Sequence, residues 1–180
     1  KYFKTIFSDF IALVPNLYEQ WNTNPTSALG IVRTYPWHIN DTALLIGDAA
    51  HATVPFYGQG MNASFEDCIK ICEIIDKNND WELIFEKFNN KRKIDTDAIS
   101  ELALRNYNVM KKDVLDKNHI KKNDLGFKLY DMFPEYFIPE YIMISFTNID
   151  YHTVKKRSYI QNEILDQILS YKKIPRRETL

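Results

Sequence analysis

Apolar residues recur every three or four positions along most of this chain, and the places where that rhythm fails divide it into elements. Between Phe3 and Trp21 the apolar positions Phe7, Phe10, Ile11, Val14 and Leu17 read as helix, but Pro15 lies among them. A proline removes a backbone donor and clashes with the preceding turn, so the pattern predicts a broken helix or two short ones. After the turn-forming stretch Asn22 to Pro25, Ala28 to Tyr35 includes Ile31 and Val32 and leads to Trp37, which suits a strand. Asn40-Asp41 then turns the chain. Thr42-Ala43-Leu44-Leu45-Ile46 is a short continuous apolar run ending in Gly47-Asp48. That is the form expected of a strand buried on both faces, with a polar residue at the carboxyl end where α/β sheets place ligands.

From Gly60 the period is helical again. Met61, Phe65, Cys68, Cys72 and Ile75 predict one apolar face, and Asn78-Asn79-Asp80 ends that helix. Trp81, Ile84, Phe85 and Phe88 predict a second, short helix that stops at the basic turn Lys91-Arg92-Lys93. Asp95 or Thr96 then caps a longer third helix with Ile99, Leu102, Asn106, Met110 and Val114 along one stripe. Asn106 and Met110 are polar or soft residues on an otherwise core-like face. Asp124 opens a helix through Leu125, Leu129 and Met132 that stops near Pro134, and Pro139 resets the chain before Tyr141 to Phe146. A last helix, from about Val154 to Tyr171, is expected to bury Ile160, Ile164, Ile168 and Leu169. No internal repeat or low-complexity segment is present.

Composition narrows the function classes. The 180 residues are 45% hydrophobic, ample for one packed core of common domain size. With 23 basic against 24 acidic side chains there is no field to gather nucleic acid, which is not an expected partner. Cys68 and Cys72, four apart on a helix, read as small apolar core residues suited to a reducing compartment rather than as a disulfide or metal pair. No run of about 18 apolar residues spans a bilayer, and Lys1-Tyr2-Phe3-Lys4 lacks the apolar block of a secretion signal. The expectation is a soluble, cytoplasmic chain. His38, His51, His119 and His152 show no metal-like spacing, so no metal is expected.

The chemical signal is Gly47-Asp48-Ala49-Ala50-His51, then Pro55, then Gly58-Gln59-Gly60-Met61-Asn62. A carboxylate after a buried strand can accept hydrogen bonds from a sugar or ribitol hydroxyl, and Ala49 and Ala50 let a large ligand approach the backbone. Gly58 and Gly60 let a loop press against a flat ring without side-chain interference. A helix starting near Met61 adds backbone donors and its positive end, which favour negative charge on that ring. An isolated Gly-Asp is more often an ordinary turn with the aspartate as a cap. The whole constellation is what points to a ligand.

Gly47 to Cys68, GDAAHATVPFYGQGMNASFEDC, resembles the second flavin-binding motif of the aromatic hydroxylase flavoproteins. Leu104 to Met110 (LRNYNVM) and Phe137 to Thr147 (FIPEYIMISFT) are similar, in order and spacing, to the branch of that family acting on L-kynurenine. The likeness covers roughly Ala28 to His152. It implies an α/β fold, α+β for a fragment. Residues 1–40 would be part of a substrate-domain sheet with a flanking helix, and 41–92 the C-terminal part of a Rossmann-like FAD-binding domain. Residues 93–180 would be a mainly helical region closing the substrate pocket.

The resemblance also implies roles. Asp48 contacts the FAD ribitol, the backbone from His51 to Pro55 lies near the pyrophosphate side, and Pro55 and Gly58 line the cofactor. Gly60, Met61 and Asn62 hold the pyrimidine edge of the flavin ring. Pro55, Phe56 and Tyr57 wall the substrate pocket, Asn106 and Tyr141 hydrogen-bond the substrate carboxylate, and Met110 packs nearby. Read by itself, Tyr141 would be a half-buried core tyrosine and Met110 a gap filler. No side chain is implied as a catalytic base. NADPH would be the reductant and dioxygen the oxidant, with hydroxylation ortho to the substrate's amino group giving 3-hydroxykynurenine, a step of tryptophan degradation. Two departures bear on the substrate: Val109 stands where a glutamate is expected beside the pocket methionine, and Tyr57 where phenylalanine or histidine is usual. Another flavin hydroxylase acting on a phenol or benzoate, or a non-catalytic helical interaction domain, are the alternatives.

No Gly-x-Gly-x-x-Gly follows a strand, so the ADP part of FAD has no cradle in these residues. The expectation is a fragment, with an N-terminal half and a basic side chain for the substrate carboxylate supplied elsewhere. Arg176 to Leu180 stops where membrane-anchored relatives continue into a hydrophobic segment, which would imply the cytosolic face of the mitochondrial outer membrane.

Overall fold

A computed structural model describes residues 2–171. Pro15 does break the first apolar stretch: α1 (Tyr2–Ile6), α2 (Ser8–Leu13) and α3 (Leu17–Thr23) are short, and Val14 to Asn16 lie between the last two. Their rings meet one another, Phe3 standing 5.5 Å from Trp21 and 6.2 Å from Phe10.

The strand expected over residues 28–35 does not form. Val32 N–H donates to Ala52 O (2.9 Å) and Thr34 N–H to Ala50 O (3.2 Å), so this stretch spends its donors on α4 (Asp48–His51) instead of a ladder. The turn at Asn40 joins β1 (His38–Ile39) to β2 (Ala43–Leu44), antiparallel, with His38 opposite Leu44 and Ile39 opposite Ala43. Asn40 takes φ 45°, a left-handed conformation that asparagine tolerates. The expected strand buried on both faces is thus reduced to two residues, and Leu45 and Ile46 are 41% and 40% exposed. Among the described residues only β1 pairs with β2, so no strand lies on its far side.

The rest is helical: α5 (Gly60–Ile75), α6 (Trp81–Lys112), α7 (Lys117–Met132), α8 (Glu140–Phe146) and α9 (Tyr151–Ser170). Two helices and a basic turn were expected where α6 runs unbroken. Its start is capped by Asp80, which accepts from the N–H groups of Glu82 and Leu83; Asp95 and Thr96 are buried inside it. Arg92 explains the misreading. A cationic run suggests a solvated turn, but Arg92 is 1% exposed with its charge matched by carboxylates. Asp116 caps α7 in the same way, so that helix begins at Lys117 and Asp124 is interior.

Two apolar stripes face the other way from expectation. On α5 the buried residues are Ala63, Asp67 and Ile74, while Met61, Phe65, Ile69 and Ile75 are exposed, and Cys68 and Cys72 are free exposed thiols, not core residues. On α9 the buried stripe is Tyr151, Val154, Ser158 and Leu165, leaving Ile160, Ile164 and Leu169 exposed and Ile168 half-buried. In both helices the side that faces α6 is chosen by close approach and polar pairing, not by hydrophobicity alone. The stripe expected along Ile99, Leu102, Asn106, Met110 and Val114 likewise leaves the core after Leu102: Met110 is exposed, and Val114, also exposed, lies beyond the end of α6.

Two cores result. Trp37, Ala50, Ile74, Ile84 and Phe88 join the hairpin and α4 to α5 and α6. Ala63, Ala98, Ile99, Leu102, Met143, Ile144, Tyr151 and Val154 join α5, α6, α8 and α9. The described residues are mostly helical with one small hairpin, narrower than the α/β fold expected. None of their helices is long and apolar enough to cross a membrane. Arg176 to Leu180 lie outside the described residues.

Candidate functional site

The turn at Gly47 is fixed by a buried carboxylate. Gly47 has φ +60°, where L side chains are strained, and a Cβ there would stand 3.1 Å from Ser64 Oγ. Its N–H donates to Asp67 Oδ2 at 2.8 Å, and the same oxygen is 2.6 Å from His51 Nε2. Arg92 Nε donates to Asp67 Oδ1 at 2.8 Å and Nη2 to Ala63 O at 3.2 Å, while Nη1 lies 3.1 Å from Glu66. Asp95, 3.7 Å from Arg92, accepts from His152 N–H at 3.1 Å and lies 2.7 Å from His152 Nδ1. Burial alone would raise the Asp67 carboxyl, but the His51 ring, the Gly47 N–H and Arg92 together hold it below its ordinary value. Glu66 goes the other way: its burial outweighs Arg92 and raises it.

This network sets the Gly47-Asp48 turn against the first turns of α5. Asp48 is exposed at the start of α4. Gly58, φ +68°, closes a turn through its N–H to Pro55 O at 3.1 Å, and a Cβ on Gly58 or Gly60 would meet nothing within 4 Å. Gln59, the residue before α5, gives no side-chain cap; its Oε1 accepts from Asn62 Nδ2 (2.9 Å) and from Tyr151 OH (3.2 Å). The first amide donors of α5, at Gly60, Met61 and Asn62, are therefore not used by a capping side chain. Pro55, Met61 and Asn62 are exposed beside this open space.

A second group lies on the far side of the same loop. Asn106 Nδ2 donates to Phe56 O at 2.7 Å, and the Phe56 ring lies 4.6 Å from that of Tyr107. Tyr57 OH donates to Glu140 Oε1 at 2.6 Å, and its ring is 6.3 Å from Tyr141. Burial pushes the Tyr57 phenol up to about 12, against the nearby Arg105 charge. Tyr57, Arg105, Asn106, Val109, Glu140 and Tyr141 all line one cavity of about 490 Å³ between α6, α7 and α8. Three of the residues expected at a substrate are thus brought together: Tyr57, Asn106 and Tyr141. Pro55, Phe56 and Met110 are not in that lining.

Sequence reasoning overlooked Arg105 and Glu140, each one position before a residue it singled out, and His119, Lys122 and Asn123, which α7 adds to the same cavity. The neighbours of Asn106 and Tyr141 carried a signal; the α7 residues carried none. The two basic side chains here are matched, Arg105 by Glu140 and Lys122 by Asp166 at 2.6 Å. Sequence reading also missed Asp67 and Arg92 as the anchor of the turn.

Comparison with known proteins bears on both groups. Residues 30–78 match the family described as FAD binding domain, a span that contains the Gly47 turn and the start of α5. A kynurenine 3-monooxygenase of Cytophaga hutchinsonii is 44% identical over 171 residues, 94% of this chain and 38% of that protein. Those of Legionella pneumophila (36%, covering 93% of this chain and 37% of the relative) and Xanthomonas axonopodis pv. citri (41%, covering 89% and 35%) are similar too. The chain thus spans less than two fifths of the length of these relatives, and the match extends past the flavin motif to the cavity-lining helices. By sequence, this chain is similar to a part of kynurenine 3-monooxygenases, and the part of it that matches the FAD binding domain carries the Gly47 turn.

Proposed function

We propose that this chain supplies the ring side of an FAD site and one wall of the substrate pocket in an enzyme that hydroxylates L-kynurenine to 3-hydroxykynurenine with NADPH and dioxygen. The observation that carries the reading is the loop of residues 55–60, which has open space at its glycines, lines with Tyr57 the cavity holding Asn106 and Tyr141, and is held by Asn106 at the Phe56 carbonyl. A flat ring against that loop and an amino-acid substrate in that cavity would be neighbours.

The residues fit the cofactor. The exposed Asp48 carboxylate can accept from ribitol hydroxyls, and the unused amides of Gly60, Met61 and Asn62, at the positive end of a 16-residue helix, favour negative charge at the pyrimidine edge. FAD, when bound, supplies the electron and oxygen transfer. The chain's own work is to orient the substrate and exclude water: Tyr57 and Tyr141 supply aromatic walls, and Asn106, anchored on Phe56 O by one amide hydrogen, has the other for a carboxylate.

In this reading the partner is the remainder of the same flavoprotein. The relatives' much greater length supports it, as do the exposed apolar side of α5 and the unpaired edge of β2. That remainder would carry the phosphate-binding glycines and finish the Rossmann-like sheet. Val109 in the cavity lining, where the family is expected to have a glutamate, favours keeping a second reading, a phenol or benzoate hydroxylase on the same flavin chemistry. The complete enzyme decides between them: L-kynurenine should stimulate NADPH oxidation and yield 3-hydroxykynurenine, whereas stimulation by phenolic acids alone would favour the second.

A further inference from the structure

The cavity contains an ion pair to which the reading above gives no role. Glu140 opens α8 immediately before Tyr141, and Arg105 precedes Asn106 on α6. Glu140 receives the Tyr57 hydroxyl on Oε1 at 2.6 Å and faces the Arg105 guanidinium, which also donates to Ser158 Oγ on α9 at 3.1 Å. The α8 carboxylate that holds this loop residue is thus backed by Arg105 of α6, itself steadied by α9.

A Cβ on Gly58 or Gly60 would touch nothing within 4 Å, so the side of the loop that faces the proposed ring is open, while Gly58 N–H is spent on Pro55 O and Gly60 O accepts from Ser64 Oγ at 3.0 Å. The α5 end of the loop is held by the helix and by Gln59, and the other end is gripped at two adjacent points: Asn106 on the Phe56 carbonyl and Glu140 on the Tyr57 hydroxyl. The second grip has an ionised acceptor, which makes the stronger, shorter kind of hydrogen bond. Arg105 pairs with that carboxylate and offsets a negative charge that would otherwise repel an anionic ligand in the same cavity.

We propose that Glu140, held by Arg105, is a positioning residue: through Tyr57 it sets the Gly58 to Gly60 loop against the flavin and ties that loop to the wall bearing Asn106 and Tyr141. The proposal rests on the flavin-site reading above. Tyr57 stays a donor throughout the neutral range, since burial lifts its phenol far above it, so the grip does not switch with pH there.

A double-mutant cycle on the complete flavoprotein tests this. Tyr57→Phe and Glu140→Ala should each raise the FAD dissociation constant by about 2- to 10-fold, the span of one lost hydrogen bond. The double variant should be no worse than Glu140→Ala alone, because both remove the same link. Glu140→Gln, which keeps an acceptor for Tyr57, should lie nearer the wild type and also guards against a variant that merely folds poorly. For L-kynurenine, KM and the share of NADPH lost as hydrogen peroxide should follow the same order. Additive effects, or an FAD affinity unmoved by either single change, would overturn the proposal. Intact FAD coupling without any stimulation by L-kynurenine would overturn the substrate reading and leave this one standing; a complete chain that binds no FAD would overturn both.

Discussion

Asp67 shows how much rests on one side chain. It is fully buried yet charged, and it holds three donors, the Gly47 amide and the His51 ring at the two ends of α4 and Arg92 on α6. Breaking one partner of a buried pair leaves the other uncompensated, so Asp67→Asn in the complete protein should cost about 3–5 kcal/mol in a denaturant titration. The pH dependence has a definite sign. The folded-state value of Asp67 is depressed, so its stabilisation is fully present above the unfolded value of about 4 and is lost as pH falls through the lower folded value. Wild-type stability should drop in that acid window, and the Asn variant should drop less steeply. Equal slopes would mean that Asp67 does not carry the charge. At this scale the FAD binding domain match of residues 30–78 was legible, because Gly47, Asp48, Gly58 and Gly60 point together to a ligand where an isolated Gly-Asp does not. Asp67 and Arg92 were not, because a charged residue reads as surface until its partners are seen.

Among elements, α6 is the spine: its 32 residues touch the hairpin, α5 and α9, and its far end carries Arg105 and Asn106 into the cavity. A prolyl substitution at exposed Lys91 tests its continuity. In an unbroken helix Lys91→Pro should cost about 3 kcal/mol or more, read as a lowered unfolding midpoint. A near-neutral effect would instead favour the turn that the basic run suggests. Helix existence was legible from apolar spacing and from the stops at Pro15 and Pro134, but facing was not. α5 and α9 carry apolar residues on more than one side, and Ala63, Asp67 and Ser158 turn inward because small or paired side chains let α6 come close. Sequence alone does not reveal which neighbour a stripe will meet.

Over the whole molecule, the shortfall in sheet has the same cause as the exposed stripe on α5. Continuous apolar runs such as residues 42–46 signal burial on both faces, and the described residues provide one neighbouring strand. Leu45, Ile46, Met61, Phe65 and Ile69 are exposed apolar surface. This is what a segment spanning under two fifths of its relatives' length would expose where the remainder packs. Cofactor chemistry was legible from local sequence, and the resemblance named Tyr57, Asn106 and Tyr141 for one pocket, while Arg105, Glu140 and the α7 residues of the same cavity needed the fold.

The central claim is that the turn at Gly47-Asp48 holds FAD, and titrating the complete flavoprotein with FAD, wild type against Asp48→Ala, tests it most directly. Loss of hydrogen bonds to a charged acceptor should weaken binding by about 1.5–3 kcal/mol, roughly 10- to 150-fold, with the fold's melting temperature in the absence of FAD unchanged. An Asp48→Ala protein that binds FAD as tightly as the wild type would contradict the account.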